Sequence, residues 1–473
     1  MGLFTKKSIG ALQAEADRGL LRRSLGPWNL TALGIGSIIG TGIFVLTGTA
    51  ASQNAGPALV FSMLLSAVGC AFAGLCYAEF AAMVPVAGSA YTYAYATIGE
   101  IFAWIIGWDL ILEYALSTAT VAVGWSGYFA SLMHDVGVDV PASLTGPPGP
   151  FNLPAFAIVL VVAALLVIGI KQSADTNTVL VAIKAMVLVV FVIAGAAYVK
   201  RENLTPLIPP NTGEFGHFGW SGILRGAGVM FFAYIGFDAV STAAQEASRP
   251  SRDMPIGILG SLAICTVIYI LVAIVLLGIV PYPQLNVADP LAVGIDATGL
   301  RWLSPLIKVA ALFGLFSTMI VTLLAQTRIF YSMSRDGLLP PMFSAVHPRF
   351  RTPHLSTMMT GIVIALVSGL TPISVLSQLV SIGTLLAFGL VCIGVILLRH
   401  TAPDIPRPFR TPGVPLVPIL GAIICLAQMI GLPLATWERL VVWLAAGLVV
   451  YFTYSYRSSR LIQPELNELR PRI

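Results

Sequence analysis

Four ionisable side chains stand well inside long apolar runs of this sequence: Asp109, Glu113, Lys184 and Asp238. A charge in such a run is costly enough that function is the default hypothesis for it. Asp109 and Glu113 are four residues apart and share one face of a helix. Glu113 stands roughly 13 residues into its run, about 20 Å along a helix axis, which is near the middle of a bilayer. Lys184 stands about seven residues into its own run, close enough to snorkel to the nearer surface. Otherwise its ammonium must pair inside with carbonyls, hydroxyls or a carboxylate, where it is suited to carry a proton. Asp238 follows Gly236 and precedes Ser241 and Thr242. It belongs to a site, or it is a structural carboxylate hydrogen-bonded to a neighbouring helix. Asp109 and Glu113 also have the form of an acid pair, but no nucleophile or metal set accompanies them, so an enzyme is not expected.

The elements that must position these groups carry their own signal. The stretch Thr31-Ala-Leu-Gly-Ile-Gly-Ser-Ile-Ile-Gly-Thr-Gly-Ile-Phe44 lies in an apolar run from Trp28 to Ala51. Its middle holds Gly34, Gly36, Gly40 and Gly42 with Ser37 and Thr41. Glycine weakens a helix by about 1 kcal/mol per residue, and hydroxyls compete for its backbone bonds. Unwound backbone at membrane depth survives only where it is buried or lines a cavity. Broken helices of this kind form the substrate sites of many secondary transporters. Gly36-Ser-Ile-Ile-Gly40 is also a small-xxx-small motif, which lets helices approach closely. A dinucleotide-loop reading fails, since no strand precedes the glycines and their last gap is too long. A second glycine-interrupted run, Val229 to Thr242 with Gly236 near its centre, occupies the sixth apolar stretch. Interruptions at the first and sixth positions are the pattern of two inverted five-helix repeats.

Composition agrees. Of 473 residues, 57% are hydrophobic and 10% charged, against about 25% charged in soluble domains. This is an all-α integral membrane protein. Apolar runs give about twelve spans, at 28–51, 57–84, 101–133, 154–170, 177–199, 221–245, 255–281, 303–331, 355–370, 374–398, 414–432 and 438–456. An even number puts both termini on one side. The loops opposite them hold only Lys200, Arg201, Arg301 and Arg439, whereas the remaining loop and tail cations cluster on the terminal side. That bias predicts cytoplasmic termini. It also explains the net charge of +5 without nucleic acid as a partner. No signal peptide is expected, because the first 26 residues are polar and basic. The five cysteines read as small buried hydrophobes. No soluble catalytic unit and no G-x-x-x-x-G-K-[ST] sequence occurs, so work must be driven by an ion or solute gradient.

The sequence resembles bacterial members of the cationic amino acid transporter family, within the amino acid–polyamine–organocation superfamily. The matching stretches are Gly34 to Phe44, Cys76-Tyr-Ala-Glu-Phe80, Pro85 to Tyr93, Gly107-Trp-Asp-Leu-Ile-Leu-Glu-Tyr114, Phe232-Ala-Tyr-Ile-Gly-Phe-Asp238 and Arg252 to Gly257. Ser334-Arg-Asp-Gly-Leu-Leu-Pro340 and Ile382-Gly-Thr384 complete the set. The resemblance implies a LeuT-type fold. Its parts are a cytoplasmic segment 1–27, inverted repeats 28–200 and 201–398, two further helices within 399–456, and a cytoplasmic tail 457–473. It also implies an amino acid held between the first and sixth spans. The α-carboxylate would sit on backbone amides of Gly40, Thr41 and Gly42, at the positive end of a half-helix. The α-ammonium would meet carbonyls at Ile38, Phe232 and Ile235, with Ala233 alongside and Phe232 as an aromatic gate. Lys184 matches a lysine thought to stand where sodium-coupled cousins bind Na⁺, near carbonyls of the first span and Ser317 or Thr318. That makes it the expected proton-coupling group.

Glu113, Asp238 and Thr322 are the expected selectivity residues. A small Thr322 leaves room for a long side chain, and an acid nearby offsets the desolvation of a guanidinium or ammonium. Gln245 stands where many relatives have an acid. The expected function is proton-coupled import of cationic (arginine, lysine or ornithine) and/or small neutral L-amino acids by alternating access, at the plasma (inner) membrane. The rivals are a sodium-independent exchanger and a non-transporting amino acid sensor. Expected partners are the amino acid, protons, membrane lipid and, from the resemblance, a small single-span membrane protein. No cofactor or metal is expected.

Overall fold

Backbone polar groups of a chain this apolar must be satisfied within each segment, and the helix is the local way to do so. The computed structural model describes residues 4–8, 25–83, 89–146, 149–169, 174–242, 244, 247–350 and 352–459. Among the described residues, β pairing is limited to two isolated bridges, Leu25 with Ala247 and Thr145 with Asn152. The helices are α1 Pro27–Ile38, α2 Leu59–Met83, α3 Ser89–Thr97, α4 Glu100–Asp135 and α5 Leu153–Ile168. They continue as α6 Ala174–Ala196, α7 Gly219–Met230, α8 Phe237–Thr242, α9 Pro250–Ile279 and α10 Pro290–Asp296. The last are α11 Leu303–Arg335, α12 His354–Leu370, α13 Ile373–Thr401, α14 Leu416–Gly431 and α15 Leu434–Val450.

Six helical stretches are long and apolar enough to cross a membrane: Gly42–Met83, Glu100–Asp135, Pro250–Ile279, Leu303–Arg335, Ile373–Thr401 and Leu434–Ser458. Shorter apolar helices stand between them, including α5, α12 and α14. The first of the six covers parts of two expected spans. Gly56, at φ +57, and Pro57 join them through one tight turn rather than a polar loop. Helix starts follow local chemistry. Pro27 and Pro250 open α1 and α9, where a missing N–H costs nothing. Asn152 caps α5 by accepting the Ala155 N–H at 3.1 Å.

Packing divides the glycines of the first span into two classes. Gly34 and Gly36 stay inside α1, and a Cβ at either would overlap Ser261 of α9 or Val181 of α6. These two therefore serve close approach, and the expected unwinding is confined to Ile39 and Gly40. Helix α1 lies along α9, while α4 lies along both α11 and α13. All five cysteines are buried and free. Gln245, and Pro85 to Gly88 of one matching stretch, lie outside the described residues.

Candidate binding site between two interrupted helices

The first interruption follows directly from the sequence Ile39-Gly-Thr-Gly. Ile39 turns to extended backbone at ψ 100°, and the chain resumes at Thr41 in a wide winding whose Thr47 N–H reaches back five residues to Gly42 O. A helix start leaves its first N–H groups without intrahelical acceptors and gathers positive potential there. At the other lip, the Ile38 carbonyl accepts the Tyr269 hydroxyl at 2.8 Å, which leaves it one further lone pair.

The second interruption runs from α7 through a tight turn, Phe231–Tyr234, to extended Ile235 at ψ 138°. Gly236 then takes φ +118°, a conformation that side chains with a Cβ rarely adopt, and α8 begins. A Cβ there would also stand 2.7 Å from the Ser37 backbone. Asp238 stabilises the turn, its Oδ1 accepting the Gly236 N–H at 3.1 Å. Its Oδ2 faces the Tyr114 hydroxyl at 3.4 Å.

The two interruptions meet around a cavity of ≈ 50 Å³. Ser37, Ile38, Gly40, Thr41 and Gly42 line it from the first, and Phe232, Ile235, Gly236 and Asp238 from the second. Helix α4 contributes Tyr114, Ser117 and Val121, and α11 contributes Thr318, Val321, Thr322 and Ala325. Burial is uneven around this wall. Thr41, Val121 and Phe232 are buried, whereas Ser37, Ile235, Gly236, Val321, Thr322 and Ala325 are half-buried. Along α11 the half-buried Val321, Thr322 and Ala325 follow buried Thr318 toward the Arg335 end.

Eight of the expected site residues line this cavity: Ile38, Gly40, Thr41, Gly42, Phe232, Ile235, Asp238 and Thr322. Three do not. Ala233 lies behind the wall, where its backbone meets Gly42 so closely that no Cβ fits. Glu113 is buried and is not among the lining residues, although Tyr114 beside it and Ser117 one turn along α4 are. Lys184 does not snorkel. It is only 1% exposed, and its Nζ donates to Gly36 O at 3.1 Å and Thr318 Oγ1 at 3.0 Å. Because Thr318 lines the cavity, Lys184 is one hydroxyl removed from it. Thr322 has little hydroxyl chemistry to spare, since its Oγ1 is 2.8 Å from Thr118 Oγ1. Sequence reasoning missed Ser117, Val121, Val321 and Ala325. Their signal was helical spacing alone: Ser117 and Val121 follow Tyr114 by three and seven residues, Val321 follows Thr318 by three and Ala325 follows Thr322 by three.

Comparison with known proteins now decides the family. A model of the amino acid permease family matches residues 25–453, nearly the whole chain. The chain belongs to the amino acid permease family. This permease is 46% identical over 464 residues to the methylthioribose transporter of Bacillus subtilis (strain 168), covering 97% of this chain and 99% of that one. It is likewise 46% identical over 470 residues to the branched-chain amino acid permease BcaP of the same organism, covering 98% and 99%. The vacuolar cationic amino acid transporter 4 of Arabidopsis thaliana is 37% identical over 410 residues, which are 85% of the permease and 68% of the relative. The permease is thus a membrane protein of the amino acid–polyamine–organocation superfamily, as its sequence motifs implied.

Proposed function

We propose that this permease is a secondary active L-amino acid importer of the plasma (inner) membrane, driven by protons, with both termini in the cytoplasm. In this reading twelve spans form two inverted five-helix repeats, 28–200 and 201–398, in the LeuT-type arrangement, with two more helices after them. The observation that carries it is the reciprocal meeting of the interruptions. Gly42, beyond the first break, packs on Ala233, in the turn that opens the second; Ser37, before the first, packs on Gly236, where the second ends. Each half of one broken helix thus faces the opposite half of the other, as an inverted repeat requires. Backbone amides at Gly40 to Gly42 suit an α-carboxylate, and carbonyls at Ile38 and Phe232 suit an α-ammonium. Lys184, among neutral oxygens, is the coupling group.

For the side chain, the small neutral half of the expectation is the better supported. Asp238 is the acid on the cavity wall, and it already accepts the Gly236 N–H. Val121, Val321 and Ala325 offer apolar surface instead. Two relatives at 46% identity are named for branched-chain amino acids and methylthioribose, neither a cation. An aliphatic neutral L-amino acid is the leading substrate, and arginine, lysine and ornithine are second.

Uptake into proteoliposomes under separately imposed proton and sodium gradients tests this reading. Accumulation of leucine-like substrates with protons alone is the expected result. Uptake that needs preloaded substrate and ignores both gradients would make the protein an exchanger. Binding without flux would make it a sensor.

A further inference from the structure

The cavity leaves two buried acids without a task. Asp109 and Glu113, one turn apart on α4, are each 1% exposed, and among the described residues none of their carboxyl oxygens has a partner in hydrogen-bonding geometry. Among the described residues neither takes part in an ion pair. Helix α13 closes over them. A Cβ on Gly383 would stand 2.6 Å from Asp109 Oδ1. Thr384 faces Glu113, and its single hydroxyl proton has Val380 O, at 3.0 Å, as a competing acceptor. The other ionisable groups facing the pair are Asp238 of α8, Tyr77 of α2 and Tyr114 of α4 itself. None is a cation, and α11 and α13, packed along α4, bring no charged side chain to the pair.

Two ionised carboxylates one turn apart, with one contested hydroxyl and no counter-ion, are not sustainable in an apolar bundle. In this arrangement the pair therefore retains at least one proton. That proton can leave only when water reaches the oxygens, and Gly383 of α13 stands in the way. We propose that Asp109 and Glu113 form a second proton-binding site, apart from Lys184 and the amino acid cavity, which loads and unloads as α13 shifts against α4. The step breaks one carboxyl O–H bond, passes the proton to water on whichever side the interface has opened, and leaves a single carboxylate there to be reprotonated. The cavity feels this state through Tyr114, which adjoins Glu113 in sequence, lines the cavity and reaches Asp238 at 3.4 Å.

The proposal rests on the proton-driven permease reading, and its test separates the two. Purified wild type, Asp109→Asn, Glu113→Gln and Lys184→Ala are reconstituted, and protons and labelled leucine entering per unit time are recorded together. For Asp109→Asn we expect leucine binding within about twofold of wild type, by ligand-induced thermal shift, but fewer protons per leucine. Asp109→Glu, which keeps a titratable group, should restore the wild-type ratio. If both amide variants carry protons and leucine in the wild-type ratio, the pair is a permanently protonated structural feature and the proposal falls. The permease reading survives that result so long as Lys184→Ala uncouples uptake. Should the amide variants not fold, difference infrared spectra of the wild type decide. A protonated-carboxyl band that responds to leucine supports the proposal, and a band that never changes with leucine or pH overturns it.

Discussion

Lys184 and Lys308 are both only 1% exposed, and they are held in opposite ways. Lys308, on α11, has two carboxylates, Asp135 Oδ2 at 2.7 Å and Asp296 Oδ2 at 3.2 Å, and those acids are 31% and 48% exposed. Lys184, at the first interruption, has a carbonyl and a hydroxyl and, among the described residues, no ion pair. A buried cation with matched anions is fixed in its charge, and losing a partner is what destabilises it. A buried cation among neutral oxygens has little to hold its proton, and its charge can change with the surroundings. The difference fits Lys308 as a fastener and fits the coupling role proposed for Lys184.

The comparison breaks most decisively at Lys184 itself. Lys184→Ala should abolish proton-driven accumulation in proteoliposomes, and full pH-dependent accumulation in that variant would leave the two lysines without a functional distinction. Next in size, Asp135→Asn should lower stability by about 1–3 kcal/mol, because buried Lys308 keeps Asp296 but loses its closer anion. Its melting temperature should fall while the proton dependence of uptake stays as in wild type. A lost proton response there would make Lys308 a coupling group too. Thr318→Val removes one of the two acceptors of Lys184 without changing side-chain size. We expect accumulation to persist but its pH profile to move, measured as uptake rate against external pH. The smallest change is Thr322→Met, which touches neither lysine. It should reduce uptake of long cationic substrates while sparing alanine; an equal loss across the panel would remove Thr322 from the selectivity wall.

Much of this was legible because broken helices advertise themselves. Gly40 and Gly236 sit where unwinding occurs, and a lysine deep in an apolar run could only be a snorkelling residue or a buried one. Which of the first-span glycines unwind was not legible. Gly34 and Gly36 differ from Gly40 only in what stands opposite, Ser261 and Val181 rather than Thr318, and facing residues are a tertiary fact. Glu113 illustrates the same limit. Its spacing from Asp109 fixes a shared face, but the rotation of α4 about its own axis is set by α11 and α13. Tyr114 lines the cavity and Glu113 beside it does not. The Asp135 and Asp296 contacts of Lys308 come from α4 and the end of α10, far apart in sequence, so no local pattern announces them.

The uneven burial of the cavity wall has a kinetic consequence. In the proposed topology the half-buried Val321, Thr322 and Ala325 lie on the cytoplasmic side of Thr318 along α11. An importer with its doorway there would meet the cell's own amino acid pool before it could turn outward for another load. As that pool filled, the empty site would be occupied from within, and net import would slow with no sensor or second protein involved. The doorway would then act as a meter, throttling supply by the stock already in hand.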